Sequence, residues 1–110
     1  MSVRTKTIVI DIDDTITESD GSSYRYCKVR KGAKEAIDVI RSKFLVVLHT
    51  GRHLDKMPMT LKWLKDNNIK YDHIQFGKPP AVLYIDDKGM EFQSWQKTMK
   101  SLKARKLWKQ

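Results

Sequence analysis

The apolar positions of this chain gather in short runs separated by charged and hydroxyl-bearing stretches. Ile8, Val9 and Ile10 open the first run and predict a strand from Thr5 to Ile12. Phe44 to Leu48 is an uninterrupted apolar run and predicts a second strand ending at His49. His73 to Phe76 and Val82 to Ile85 predict a third and a fourth. Ala33, Ala36, Ile37 and Ile40 recur at three- and four-residue steps, so a helix is expected over Gly32 to Lys43 with these four facing inward. Met57, Leu61 and Leu64 predict another helix from Met57 to Asn68, with Asn67-Asn68 ending it. Strand runs that are near-continuously apolar suit a parallel sheet covered on both faces. The expectation is therefore an α/β fold, three layers thick, in one domain spanning residues 1–110.

Open parallel sheets bind ligands outside the carboxyl ends of their strands, and those ends carry the polar chemistry here. The first strand runs into Asp11 and Asp13, which alternation places on one face. Paired carboxylates repel each other and resist burial, and a hard cation such as Mg²⁺ would relieve them. A solvated acidic strand end is the plainer alternative. The second strand ends in Thr50-Gly51-Arg52, and the fourth in Asp86-Asp87. Phe76-Gly77-Lys78-Pro79-Pro80 places a lysine at a turn.

Taken together these segments resemble the haloacid dehalogenase superfamily of phosphohydrolases. Asp11, Asp13 and Thr15 match its Asp-x-Asp-x-Thr motif; Thr50 matches its strand-end hydroxyl, Lys78 its lysine and Asp86-Asp87 its acidic pair. The Gly-Lys-Pro and Tyr-Ile-Asp-Asp-Lys segments are similar to small phosphatase-like proteins of bacterial capsule and surface-sugar gene clusters. The resemblance implies a Rossmann-like domain without a cap, with residues 14–31 forming a flap hairpin beside the site. It implies Asp11 as the nucleophile that becomes an aspartyl phosphate, and Asp13 as the acid and then base. Mg²⁺ would sit on Asp11, the main-chain carbonyl of Asp13, and Asp86, with Asp87 direct or through water. Thr50 and the Gly51 amide would hold the phosphoryl oxygens. The phosphate-binding cation is Lys78 by resemblance, with Arg52 and Lys88 as rivals; Lys78 reaches the site only if Pro79-Pro80 turn the chain sharply.

Charge adds a second theme. The formal net charge is +9, and Lys97, Lys100, Lys103, Arg105, Lys106 and Lys109 follow Glu91 with no acid among them. Phe92, Trp95, Met99 and Leu102 share one face of that segment, so residues 90–110 are expected to form a docked helix with a basic outer face. A nucleic-acid contact is the alternative, and would make the protein a polynucleotide-end phosphatase. Arg25, Lys28 and Arg30 are either flap cations or plain surface charges. A metal-binding module without turnover is a third possibility. His49, His53 and His73 lack ligand spacing, and the lone Cys27 cannot form an internal disulfide. No run is long enough to cross a bilayer, and the first residues lack the apolar core of a signal peptide. The expected protein is cytoplasmic, acts on a small phosphorylated metabolite such as a sugar phosphate, and pairs as a homodimer if its open cleft is to be covered.

Overall fold

The computed structural model describes residues 3–18, 26–79 and 81–109. Its elements run β1 (Thr7–Asp11), α1 (Ala33–Arg41), β2 (Leu45–Thr50), α2 (Met57–Asp66), β3 (His73–Phe76) and α3 (Trp95–Ala104). The three strands form a parallel sheet in the order β1-β2-β3. In this register Asp11 lies beside His49, and Thr50 beside Phe76. All three strands therefore end together, and their carboxyl ends share one edge of the molecule.

Burial in the sheet is one-sided. Ile10, Val46 and Leu48 belong to a single core with Ile37 and Ile40 of α1, Trp63 and Leu64 of α2, and Trp95 and Leu102 of α3. The alternate positions are more open: Val9 is 58% exposed. A sheet covered equally on both faces is thus not what the described residues build. The predicted fourth strand is absent among the described residues as well. Val82, Leu83, Tyr84 and Ile85 form no strand, and all four are exposed, Ile85 by 91%. A strand forms only by pairing its backbone with a neighbour, and among the described residues this segment joins neither β1 nor β3, the two edges of the sheet.

The inward residues of α1 are Ala33, Ala36, Ile37 and Ile40, as the periodicity predicts. Its start is set by Gly32, whose φ of +84° only glycine adopts freely, and Trp95 packs closely against it. In α2 the inward stripe is Thr60, Trp63 and Leu64 rather than Met57, Leu61 and Leu64. Two polar atoms explain the rotation. The Trp63 indole N–H donates to the Cys27 carbonyl at 2.8 Å, and the Thr60 hydroxyl donates to the Lys56 carbonyl at 2.8 Å, so both side chains are buried with partners. On α3, Ser94 caps the first turn by accepting from the Lys97 amide at 3.2 Å, and Trp95 and Leu102 face the core with Phe92 and Met99 against it. The predicted C-terminal helix is thus α3 followed by a single 3₁₀ turn over Lys106–Lys109.

Between β1 and α1, an antiparallel bridge joins Thr17 to Val29, flanked by Glu18 N–H to Lys28 C=O at 2.9 Å and Arg30 N–H to Ile16 C=O at 2.7 Å. This is the base of the expected hairpin; its tip, with Arg25, lies outside the described residues. No helix among the described residues is long and apolar enough to cross a membrane.

At the opposite end of the sheet, Asp72 ties three segments together. Its carboxylate pairs with Arg4 at 2.9 Å and Arg41 at 3.1 Å, and accepts the Val46 amide at 2.8 Å. The Arg41 hydrogen bond foremost, with the Val46 amide and Arg4, holds the Asp72 carboxyl well below the usual carboxylate range. A depressed pKa in the folded state contributes stability above the unfolded value of about 4 and loses it as pH falls through the folded value. Asp72→Ala should therefore cost about 1–3 kcal/mol at neutral pH, and its deficit relative to the parent should shrink below pH 4. Denaturant unfolding of both proteins across that range measures this; a deficit independent of pH would contradict the assignment.

Candidate active site

The chain leaves β1 through a tight turn. The Ile12 carbonyl accepts the Ile16 amide at 2.9 Å and the Thr17 amide at 3.1 Å, while the Asp14 amide donates to the Thr17 hydroxyl at 3.0 Å. Asp14 holds a positive φ of 62°, a conformation aspartate tolerates better than most residues. The turn is braced from beneath by Trp95, whose indole N–H donates to the Thr15 carbonyl at 2.9 Å. Asp11 and Asp13 thus project from a fixed corner.

Each carboxylate meets a different cation. Lys78 Nζ lies 3.6 Å from Asp11 Oδ1, an ion pair longer than a hydrogen bond. Burial pushes the Asp11 carboxyl up from its ordinary value; Lys78 pulls it down less strongly, and the charge of Asp13 adds to the rise. Asp13 is gripped on both oxygens. Arg52 Nε donates to Oδ1 at 3.0 Å with Nη2 2.8 Å from the same oxygen, and the Thr50 hydroxyl donates to Oδ2 at 2.7 Å. Thr50 in turn accepts the Arg52 amide at 3.1 Å.

Lys78 reaches Asp11 from the end of β3, because the chain turns back at once. Gly77 adopts φ +96°, and the Lys78 amide donates to the Thr50 carbonyl at 3.0 Å. A Cβ on Gly51 would stand 2.9 Å from the Lys78 carbonyl oxygen, so glycine is what lets these two loops lie together. The lysine also lies over the Tyr84 ring, 4.4 Å from its centroid.

The structure thus brings together Asp11, Asp13, Thr50, Gly51, Arg52 and Lys78. It does not bring Asp86, Asp87 or Lys88 to them. Asp86 Oδ1 accepts the Lys88 amide at 2.8 Å and the Gly89 amide at 2.6 Å, and these two bonds hold its carboxyl below the ordinary value. Asp86 caps its own turn at the end of the exposed 82–85 segment. Among the described residues no group of three or more histidine, cysteine or acidic side chains is close enough to hold a metal ion. A hard cation bound at Asp11 would offset the burial and the Asp13 charge that resist its ionisation. Of the residues that the resemblance assigns to a metal, Asp11 and Asp13 are neighbours, and Asp86 and Asp87 do not join them. Thr60 is the member that pattern reading misses: its hydroxyl accepts from Arg52 Nη1 at 3.0 Å. The available signal was a hydroxyl at the i position of the Thr60, Trp63, Leu64 stripe.

No family model and no curated protein matches the chain. Among solved structures it is similar to a crystal structure of an MCSG target from Vibrio cholerae, with 27% identity and a TM-score of 0.69 over 78% of this chain and 83% of that one. That likeness supports the α/β arrangement with its small parallel sheet.

Proposed function

We propose that this protein is a Mg²⁺-dependent phosphomonoester hydrolase of the haloacid dehalogenase type, without a cap domain and working in the cytoplasm. The single observation that supports this best is the convergence of Lys78 on Asp11 beside an Asp13 held by Thr50, brought together from the ends of three strands remote in sequence. A solvated acidic strand end needs no such partners. Asp11 attacks phosphorus and the phosphoester bond breaks, leaving an aspartyl phosphate. Asp13 gives its proton to the departing oxygen and takes one from the water that then attacks phosphorus, releasing phosphate and restoring Asp11. Lys78 and the Gly51 amide hold the phosphoryl oxygens, while the Thr50 hydroxyl stays on Asp13. Asp11, the Asp13 carbonyl and Asp86 or Asp87 would hold the metal, which supplies charge neutralisation at the phosphoryl group when bound.

The substrate class we favour is a small phosphorylated metabolite, a sugar phosphate first, on the strength of the local resemblance to the surface-sugar group. A second reading, a polynucleotide end, has one observation in its favour: Lys97, Lys100, Lys103, Arg105 and Lys106 are all exposed. Salt separates the two, because polyanion contacts release counterions and weaken steeply as salt rises. Truncating the tail would confuse the answer, since Trp108 packs on Phe44 with ring centroids 5.9 Å apart. Lys100→Gln with Lys106→Gln removes charge and leaves that contact. The double variant should turn over sugar phosphates at the parent rate; efficient turnover of a 3′- or 5′-phosphorylated oligonucleotide by the parent, reduced tenfold or more by the substitutions, would move the assignment to polynucleotide ends.

A further inference from the structure

Arg52 is the most deeply buried cation of the site, 3% exposed, and its surroundings differ from those of a phosphate-binding side chain. Every nitrogen of the guanidinium is directed inward. Nε and Nη2 converge on Asp13 Oδ1 at 3.0 and 2.8 Å, and Nη1 donates to Thr60 Oγ1 at 3.0 Å. Thr60 is fully buried on α2 and passes its own proton to the Lys56 carbonyl at 2.8 Å. The guanidinium is thus fixed at two points, one on the helix and one on the carboxylate. It contacts Asp13 and Thr60, and its side chain is 1% exposed.

Burying an arginine is costly, and a purely structural site is commonly served as well by apolar side chains of similar volume. What this arrangement supplies is direction. Arg52 and Thr50 between them engage both oxygens of a carboxylate whose side chain is still 34% exposed on its remaining side. The Asp13 carboxyl plane is set, with one open approach. A planar fork achieves this and an ammonium does not.

We propose that Arg52, anchored by Thr60, is a positioning residue that sets the Asp13 carboxyl for proton transfer at the leaving oxygen. This rests on the phosphatase reading and refines it: Lys78 meets the phosphate, and Arg52 acts only through Asp13. Misplacing a catalytic group by about 1 Å can cost a hundredfold. The loss should fall on substrates whose leaving oxygen most needs a proton. An aryl phosphate expels a stabilised phenolate and depends little on the acid; an alkyl phosphate depends on it heavily.

The test compares parent, Arg52→Lys and Thr60→Val on 4-nitrophenyl phosphate and glycerol phosphate with Mg²⁺, together with the NMR signal of the Arg52 Nε–H. In the parent that signal should be sharp and slow to exchange, and it should broaden in Thr60→Val and in Asp13→Asn. For Arg52→Lys we expect KM within about threefold of the parent on both substrates, with kcat reduced roughly tenfold for the aryl ester and a hundredfold for the alkyl ester. Thr60→Val, which keeps the arginine and loses only its anchor, should show the same imbalance at smaller size. A raised KM with unchanged kcat would make Arg52 a phosphate ligand and overturn the proposal. Equal losses on both esters would reduce it to a structural pair and overturn it too. A parent inert toward every phosphate, with the Nε signal still sharp, would instead bring down the phosphatase reading and the positioning role with it.

Discussion

Asp11→Asn should leave a folded protein with no measurable phosphatase activity, a fall in kcat of about 10⁴-fold or more on an aryl phosphate. The amide keeps the shape of the side chain but cannot attack phosphorus, so the first of the two chemical steps is lost. Asp11 sits at the end of β1, half-buried, and its ion pair with Lys78 is long. Thermal unfolding should accordingly change little, and relief of the repulsion with Asp13 could even raise the midpoint slightly. Release of the aryl alcohol in the presence of Mg²⁺, measured beside a melting curve, checks both halves. Activity at the parent level would remove Asp11 from the mechanism, whereas a parent that binds Mg²⁺ but hydrolyses nothing would make the protein a metal-binding module without turnover.

The second large effect concerns residues 82–87. Leu83 and Ile85 are strongly exposed, although each would contribute about 1.5–3 kcal/mol if fully buried. The acidic pair that follows them stands apart from Asp11, where the proposed metal needs it. One rearrangement would answer both deficits: the segment packs against the sheet and carries Asp86 and Asp87 to the corner of β1. Mg²⁺ with a phosphate analogue such as beryllium fluoride should therefore protect the amides of residues 83–86 from hydrogen exchange by roughly tenfold or more. Asp86→Asn and Asp87→Asn should weaken that protection unequally, the direct ligand more than the one acting through water. Unchanged exchange in saturating Mg²⁺ and analogue would mean that the acidic pair is not part of the site.

That segment also marks where pattern reading stops. An apolar run such as Val82 to Ile85 shows that a stretch can be a strand, but strand formation depends on a partner edge that the run itself does not encode. For β1, β2 and β3 the partners exist, and the runs locate them to within a residue or two. For α1 the inward face is legible because four small or branched apolar residues repeat with no competing polar demand. The face of α2 was not legible, since Thr60 and Trp63 enter the core through hydrogen bonds to Arg52 and Cys27 that no periodicity displays. Lys78 shows the opposite case. Counted back from the acidic pair it falls far from the site; followed from β3 it needs only the turn at Gly77 and the close approach at Gly51. Arg52 was legible as a cation at a strand end, and only its three-dimensional setting shows it held on Asp13 and Thr60.

The claim on which the account turns is that phosphate passes through Asp11. Quenching the enzyme with acid during turnover and reducing with borohydride converts an acyl phosphate at an aspartate into homoserine, which peptide mass spectrometry locates. The account predicts homoserine at position 11, dependent on substrate and lost in Asp11→Asn. Active turnover with Asp11 recovered intact, or homoserine at Asp13 or Asp86 instead, would contradict it.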